Sequence, residues 1–296
     1  MAWPGLKWVE RFAPSPTGPL HLGHAFSALT AYDRATKNSG VFLLRIEDID
    51  SSRCRPEWEQ QIFEDLAWLG LSWLKPVLRQ SERLNAYSEP LRALWRKGFL
   101  YPCTCTRKDI AAAVQAPQEG SPLLGPDGVV YPGTCYPNAK KFASYPLPAK
   151  QTLRLDMRHC LKTLEATHGF SFQETGAGPE GETGLIEFSD DDVIQSIGDI
   201  VLARKDMSTS YHLSVVLDDA FQGVTHVTRG QDLFAATKIH VVLQNLLGLP
   251  TPIYHHHALI RDEHGKRLAK RDDARAISKY RAEGATPADI RRMVGL

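Results

Sequence analysis

The sequence has no run of 18 apolar residues and no apolar segment close behind its N-terminal methionine. The first absence predicts that no helix spans a membrane, and the second that no secretory signal peptide is present. Cysteine is scarce: there are five, an odd number that includes a Cys-x-Cys pair. This usage argues against a secreted disulfide framework. We therefore expect a cytoplasmic protein whose thiols are reduced or bound to a metal.

The sequence also lacks an excess of charge of either sign, with 35 Lys+Arg against 34 Asp+Glu and a net charge of +1. A nucleic-acid partner would therefore need a local basic patch. We find no internal repeat and no low-complexity segment. A chain of 296 residues with 43% hydrophobic content is long enough for one large domain or two ordinary ones.

Residues 11–24 combine three prolines, two glycines and two histidines between a short apolar strand pattern and a helix pattern. Proline fixes φ and lacks an N–H, so this stretch is predicted to be a loop. His21 and His24 lie three residues apart, where the helix begins. A helix N-terminus favours phosphate through its free N–H groups. The alternative is a Pro-rich connector without a ligand.

A strand–turn–helix–strand pattern surrounds this loop. It consists of a strand at 9–13, a helix at 25–38 and a buried strand at 41–46. This is the βαβ pattern of an α/β sheet, which binds ligands beyond the carboxyl ends of its strands. The acidic run 47–50 follows the second strand. It either binds an amine or a ribose, or it is a solvated loop.

Regular α/β alternation is missing from about residue 103 to 195, which predicts an inserted subdomain. Within it, Asp190–Asp192 is predicted to be a solvated turn. Alternation returns with a segment at 211–217, helical or extended, that ends at Asp218, and with a helix at 234–247. The predicted organisation is a first catalytic half at 1–102, the insertion at 103–195, a second catalytic half at 196–260, and a loop with a short helical tail at 261–296.

Three cysteines fall in the loop-rich part of the insertion, where a small segment with few apolar residues needs a cross-link or a metal to stabilise its fold. Cys103, Cys105 and Cys135 form a Cys-x-Cys…Cys arrangement that can bind Zn²⁺, which takes four ligands in structural sites. Tyr131, four residues before Cys135, is the nearest residue with an oxygen that can coordinate. The alternative is that the cysteines are small buried hydrophobic residues.

Two further motifs lie near the end of the chain. The three histidines at 255–257 lie on a predicted strand and face alternate sides, which argues against a three-ligand metal site. Residues 265–271, Gly-Lys-Arg-Leu-Ala-Lys-Arg, form a basic loop. Such a loop either meets a polyphosphate or is an ordinary solvated charge run.

Taken together, these motifs resemble those of a known family. Residues 14–24, Pro-Ser-Pro-Thr-Gly-Pro-Leu-His-Leu-Gly-His, resemble the HIGH signature of class I aminoacyl-tRNA synthetases in its glutamyl/glutaminyl form. Residues 267–271 resemble a degenerate KMSKS loop, and 45–50 and 227–232 match the glutamyl subgroup. The resemblance covers residues 7 to about 275. It implies a Rossmann-type parallel sheet with an inserted zinc-containing α+β subdomain.

Few residues follow the basic loop, too few for an independent core such as the anticodon-binding region of a full glutamyl-tRNA synthetase. The chain is therefore similar to the short paralogue family, the glutamyl-Q tRNA(Asp) synthetases. This resemblance implies ATP-dependent activation of L-glutamate without tRNA. Transfer then goes to the queuosine base at the wobble position of tRNA(Asp). It also implies a structural zinc on Cys103, Cys105, Tyr131 and Cys135, Mg²⁺ with ATP, and we expect a monomer.

The resemblance further implies roles for individual residues. His21 and His24 would contact the ATP phosphates with Gly23, and Lys270 would stabilise the developing charge at the α-phosphate. An Arg fork suits the glutamate side-chain carboxylate, from Arg11 or Arg229, and Glu47 suits the ammonium group. The residues expected to hold glutamate are Arg11, Phe12, Ala13, Pro14, Ser15, Glu47, Tyr211 and Arg229.

Two departures and two rival functions remain. Ala269 replaces a hydroxyl residue of the KMSKS pattern, and Arg267 stands where a Lys is usual. One rival is a truncated glutamyl-tRNA synthetase that charges a tRNA 3′ end. The other is a non-catalytic RNA-binding paralogue, which the degenerate loop favours and the intact opening motif opposes.

Overall fold

The first βαβ unit and the strand after it form a three-stranded parallel sheet. The structure, a computed structural model, describes residues 7–115, 124–136, 141–164, 169–260 and 275–296. Strand order in this sheet is β1-β2-β3. Its elements are β1 (Val9–Phe12), α1 (Leu22–Lys37), β2 (Val41–Ile46) and β3 (Leu74–Arg79). The strands predicted at 9–13 and 41–46 and the helix at 25–38 are confirmed, with small shifts at their ends.

A second sheet contains four strands in the order β11-β12-β8-β9. Its first two pairings are parallel and the β8–β9 pairing is antiparallel. These strands are β8 (Phe170–Glu174), β9 (Gly184–Phe188), β11 (His226–Gly230) and β12 (Ile253–His257). Strands β8 and β9 come from the 103–195 stretch, so part of that stretch shares a sheet with the second half of the chain.

The two sheets meet at β1 and β11. The Thr225 N–H donates to the Val9 carbonyl (3.0 Å), and the Val9 N–H donates to Thr225 Oγ1 (2.8 Å). The resulting order is β3-β2-β1-β11-β12-β8-β9. Strands β2 and β3, which follow β1 in the chain, lie on one side of it, whereas β12, which follows β11, lies on the other side, so the strand order reverses between β1 and β11. Open α/β sheets bind ligands at such a reversal, outside the carboxyl ends of the strands. We therefore expect a ligand site beside Phe12 and Gly230, where these two strands end.

Smaller strands and the remaining helices complete the fold. An antiparallel sheet has the order β10-β7-β4, and a short hairpin pairs β5 with β6. These strands are β4 (Leu100–Cys103), β5 (Leu124–Gly125), β6 (Gly128–Val129), β7 (Thr152–Leu155) and β10 (Val201–Ala203). The other helices are α2 (Pro56–Trp68), α3 (Leu84–Arg96), α4 (Arg107–Gln115), α5 (Met157–Leu164), α6 (Asp190–Ser196), α7 (Tyr211–Gln222), α8 (Ala236–Leu247), α9 (Ile277–Ala282) and α10 (Pro287–Val294).

Two large apolar clusters lie on this framework. One packs α1, α2, α9 and α10 against the first sheet, and the other fills the space around α7, α8 and the second sheet. Among the described residues, no helix combines the length and the apolar character that crossing a membrane requires.

The predicted turn at Asp190–Asp192 is wrong, because these residues form the first turn of α6. Ser189 caps this helix: its side chain accepts the Asp192 N–H (3.1 Å), and the Asp192 carboxylate accepts the Ser189 N–H (2.8 Å). Acidic residues at this end are stabilised by the helix dipole. Similarly, α7 continues past Asp218 to Gln222, so Asp218 is buried within the helix and does not end it.

Ser189→Ala should lower the free energy of unfolding by about 1 kcal/mol, since two helix N–H groups rely on this capping pair. Denaturant titration measures the change. Ser88→Ala is the matched control, because the exposed Ser88 hydroxyl only donates to a carbonyl within α3; its effect should stay within about 0.5 kcal/mol. Equal effects of the two substitutions would contradict the capping role.

Candidate functional site

A cavity of about 550 Å³ opens where β1 and β11 end. The opening loop, the start of α1, the end of β2 and the start of α7 form its walls. Among the residues predicted to bind glutamate or ATP, those that line it are Arg11, Phe12, Ala13, His21, Gly23, His24, Glu47, Tyr211 and Arg229. The fold thus brings together residues that are more than two hundred positions apart in the chain, such as Arg11 and Arg229.

Two predicted residues lie beside this cavity. Ser15 lines a neighbouring cavity of about 340 Å³, which shares Glu47 and Tyr211 with the first. The Pro14 carbonyl accepts the Glu47 N–H (3.0 Å). This hydrogen bond ties the opening loop to the end of β2 and fixes where Glu47 stands.

His21 and His24 build the first turn of α1. His21 is the N-cap, and its Nδ1 accepts the Gly23 N–H (3.1 Å), while His24 Nδ1 accepts the His21 N–H (3.2 Å). The two rings stack with centroids 3.8 Å apart. The histidines therefore shape a helix N-terminus that faces the cavity, a position that suits a phosphate group.

A buried ion-pair network lies beneath the cavity. Asp219 Oδ1 accepts from Arg11 Nε (3.1 Å) and from Arg45 Nη1 (2.6 Å), and Glu47 Oε1 accepts from Arg45 Nη2 (3.1 Å). Burial disfavours the charged form of Asp219, but the two arginines outweigh it and hold its pKa below the usual value. Burial raises the pKa of Glu47 in spite of Arg45 and Arg11. The positive charge of Arg11 is thus already balanced by a carboxylate.

Arg229 has a different environment. Its guanidinium donates from Nε to His256 Nε2 (3.1 Å), from Nη1 to His240 Nδ1 (3.2 Å) and from Nη2 to Thr237 Oγ1 (2.6 Å). It is 5% exposed, yet it forms no ion pair with any residue that the structure describes. A buried cation with neutral partners is costly unless an anion completes the site. Arg229 is therefore placed to receive a ligand carboxylate.

The number of N–H donors on Arg229 also indicates a carboxylate ligand. A guanidinium carries five N–H groups, one on Nε and two on each terminal nitrogen. Three are used by the described partners, which leaves one on Nη1 and one on Nη2. Two donors on the two terminal nitrogens match the two oxygens of a carboxylate.

Lys270, Arg267 and Ala269 lie outside the described residues, but both flanks of their segment are placed. On one side, Leu259 and Ile260 line the cavity. On the other, Ala276 forms a bridge with His21, and the Ile277 N–H donates to the Leu20 carbonyl (2.9 Å). The segment therefore leaves and rejoins the described fold beside the cavity.

The predicted metal residues converge at a separate place. The Sγ atoms of Cys103, Cys105 and Cys135 all lie within 4.8 Å of one another. Tyr131 Oη lies 3.5 Å from Cys103 Sγ and 3.3 Å from Cys105 Sγ, and it accepts the Cys135 N–H (2.7 Å). Arg154 donates from Nε to Cys103 Sγ (3.3 Å) and places its positive charge beside the thiols.

This donor set fits a metal. Burial raises the pKa of the Cys135 thiol, but hydrogen bonds with Tyr131 and the Thr104 backbone outweigh burial and bring the pKa to about 6. Burial raises the pKa of the Cys105 thiol to about 11, so a metal bound there would displace its proton. Thiolates are the form that binds Zn²⁺, and structural zinc takes four ligands. Three thiols and one phenol oxygen supply that number.

Five residues that lie behind the cavity lining, in contact with Arg11, Glu47 or Arg229, were not assigned to the site from the sequence. Arg45 was visible as a lone charge in an apolar strand, which signals a buried partner. The others had no local signal, because their partners come from distant parts of the chain. They are Asp219, Thr237, His240 and His256.

The sequence matches the family model of the catalytic domain of class I tRNA synthetases (E and Q) over residues 7–122 and 182–296. A curated relative from Rhodobacter capsulatus, named glutamyl-Q tRNA(Asp) synthetase, is 60% identical over 288 residues, which is 97% of this chain and 100% of the relative. A relative of the same name from Geobacter sulfurreducens is 36% identical over 274 residues, covering 92% of this chain and 78% of its own.

Solved structures resemble the fold over nearly its whole length. One is a glutamate tRNA ligase from Elizabethkingia meningosepticum in complex with its amino acid, with a TM-score of 0.70 and 25% identity. Another is the glutamate-tRNA synthetase of Elizabethkingia anophelis, with a TM-score of 0.72 and 24% identity. The present chain is covered to 98% in both cases and spans 60% and 61% of the two solved chains.

Metal analysis of purified, unchelated protein should find about one zinc per chain, since the converging ligands form a single four-ligand set. Cys105→Ser should remove most of this zinc. Cys54→Ser is the control, because Cys54 is a free thiol outside the cluster and its loss should leave the zinc content unchanged. Well-folded wild-type protein without zinc would contradict the assignment.

Proposed function

The chain belongs to the catalytic-domain family of class I glutamyl- and glutaminyl-tRNA synthetases, and from this we propose that it activates L-glutamate with ATP without needing tRNA. It then transfers the glutamyl group to the queuosine base at the wobble position of tRNA(Asp). The observation that carries the proposal is Arg229, a buried cation facing the cavity with two N–H groups free of described partners. The shared name of the relatives supports the acceptor.

Glutamate binding follows from the charges of the cavity. Arg229 receives the side-chain carboxylate, because the charge of Arg11 is already balanced by Asp219. Glu47 receives the ammonium group from the opposite side, next to Tyr211. Phe12, Ala13, Pro14 and Ser15 close the wall between them. This arrangement leaves the α-carboxylate directed towards the start of α1.

In the first step, an oxygen of the glutamate α-carboxylate attacks the α-phosphorus of ATP. The bond to the bridging oxygen breaks, and pyrophosphate leaves with its electron pair. His21, Gly23 and His24 at the start of α1 line the space for the phosphates, Mg²⁺ accompanies ATP, and Lys270 stabilises the charge that develops at the α-phosphate. No covalent bond to the protein is needed, so positioning and electrostatics carry the catalysis.

In the second step, a hydroxyl of the queuosine base attacks the carbonyl of the glutamyl-adenylate, and AMP leaves. The neighbouring cavity that shares Glu47 and Tyr211 is the space adjoining the activated group. The zinc held by Cys103, Cys105, Tyr131 and Cys135 is structural and takes no part in either step.

Two assays test the proposed function. ATP–pyrophosphate exchange without tRNA should respond to L-glutamate among the amino acids. Transfer is then measured on full-length tRNA(Asp) and on an anticodon stem-loop with a blocked 3′ end, the stem-loop carrying either queuosine or guanosine at the wobble position. Glutamate should attach only to the queuosine-bearing stem-loop. Attachment only to the 3′ end of full-length tRNA would favour the 3′-charging alternative, and no exchange at all would favour a non-catalytic paralogue.

Arg229→Gln should raise the glutamate KM about 10²-fold while the ATP KM changes little, because two charge-assisted hydrogen bonds to the substrate are lost. Initial rates of exchange at varied glutamate and ATP give both constants. Arg92→Gln, at an exposed ion pair on α3, is the control and should behave as wild type. A rise confined to the ATP KM would refute the role of Arg229.

Lys270→Ala should lower kcat for exchange about 10²-fold with little change in either KM, as expected for the loss of a contact made in the transition state. Lys37→Ala, at the exposed end of α1, serves as the control. Unchanged exchange in the Lys270 variant would remove this residue from the mechanism.

A further inference from the structure

Two histidines that the proposed mechanism does not use hold Arg229 from both sides. His256 on β12 accepts from Nε, and His240 on α8 accepts from Nη1. Both are buried, with 1% exposure each. An arginine only donates hydrogen bonds, so the ring nitrogen facing it must be unprotonated in each histidine. This constraint fixes the tautomers of both rings.

On the α8 side, His240 Nδ1 accepts, so its proton lies on Nε2. That nitrogen is 3.2 Å from His212 Nδ1, which therefore accepts in turn and places its own proton on Nε2. His212 Nε2 points at Asp127 Oδ1 at 3.7 Å. In the hydrogen-bond series Arg229–His240–His212, each side chain consequently donates its proton away from the arginine.

On the β12 side, His256 Nε2 accepts, so its proton lies on Nδ1. This proton is donated to Glu174 Oε2 (2.5 Å), and the same carboxylate accepts the His256 N–H at Oε1 (2.9 Å). The Glu174 side chain is thus held twice by one residue. The ring of His256 separates this carboxylate from the guanidinium.

Both rings remain neutral. Burial and the nearby Arg229 charge lower the pKa of His240 well below its ordinary value. Burial lowers the pKa of His256 although Glu174 acts in the opposite direction. A protonated ring would have no lone pair for the arginine and would place a second positive charge against it.

We propose that His240 and His256 are positioning residues that orient the Arg229 guanidinium without neutralising it, and so make the cavity selective for an amino acid with a carboxylate side chain. The inference rests on the proposed role of Arg229 in glutamate binding. A carboxylate in the place of either imidazole would orient the arginine equally well but would satisfy its charge. An apolar residue would leave the charge of Arg229 available but would let its guanidinium group rotate freely.

The matched variants at His240 separate orientation from volume. His240→Asn keeps an acceptor near the position of Nδ1, whereas His240→Leu keeps the bulk and removes the acceptor. His240→Leu should raise the glutamate KM at least about tenfold with the ATP KM unchanged, and His240→Asn should recover most of the loss. His159→Leu, a half-buried histidine beside Phe99 on α5, is the control and should leave both constants unchanged.

The tautomers provide a second test, which is read from the wild-type protein. In protein labelled with ¹⁵N-histidine, near neutral pH, His240 should show its proton on Nε2 and His256 on Nδ1, with neither ring doubly protonated. The signals of His240 are identified by their absence from the His240→Leu variant. A proton on His240 Nδ1, or a charged ring, would overturn the proposal.

The kinetic outcomes distinguish the two proposals. If Arg229→Gln raises the glutamate KM and His240→Leu does not, the positioning role is wrong and the proposed function stands. If Arg229→Gln leaves the glutamate KM unchanged, the proposed role of Arg229 itself fails. If His240→Leu and His240→Asn lower kcat and stability equally without affecting the glutamate KM, His240 has only a structural role.

Discussion

The site depends on how the fold accommodates buried positive charge. Arg11 and Arg45 share Asp219, and Arg45 also pairs with Glu47, so these two guanidinium groups are balanced within the protein. Arg229 is held by imidazoles and a hydroxyl instead, and the carboxylate of Glu174 lies one ring away. Because a buried charge without a close counter-ion is costly, the environment of Arg229 suits a ligand that brings a carboxylate.

The strand order explains why this charge is found where the chemistry takes place. The strand order reverses between β1 and β11, whose ends therefore leave a gap without a crossover helix above it. The start of α1 enters the gap from one side, and Tyr211 and Glu47 bound it from the other. The start of α1, which we propose holds phosphate, and Arg229, which we propose holds a carboxylate, thus face the same 550 Å³ cavity.

Local sequence patterns were sufficient to predict the α/β elements and the candidate residues that lie within recognisable motifs. The βαβ unit, the opening loop and Glu47 carry signals within a few residues, and the cysteine cluster combines a local Cys-x-Cys pair with Cys135 further along the chain. The turn at Asp190–Asp192 was misread because consecutive acids suit both a loop and a helix N-terminus, and Ser189 decides between them. His240 was not identified, and His256 was considered only within the three histidines at 255–257, because their contacts with Arg229 are set by packing between elements that are distant in the chain.

We propose above all that Arg229 presents an unbalanced positive charge to the amino acid before ATP or tRNA takes part. The direct measurement is calorimetric titration of the wild-type protein with L-glutamate and with L-glutamine, without nucleotide. The two ligands have nearly the same shape and differ in side-chain charge. Glutamate should bind about 10²-fold more tightly, as expected for a site that pairs a buried cation with a carboxylate. Equal affinity for the two amino acids would contradict it.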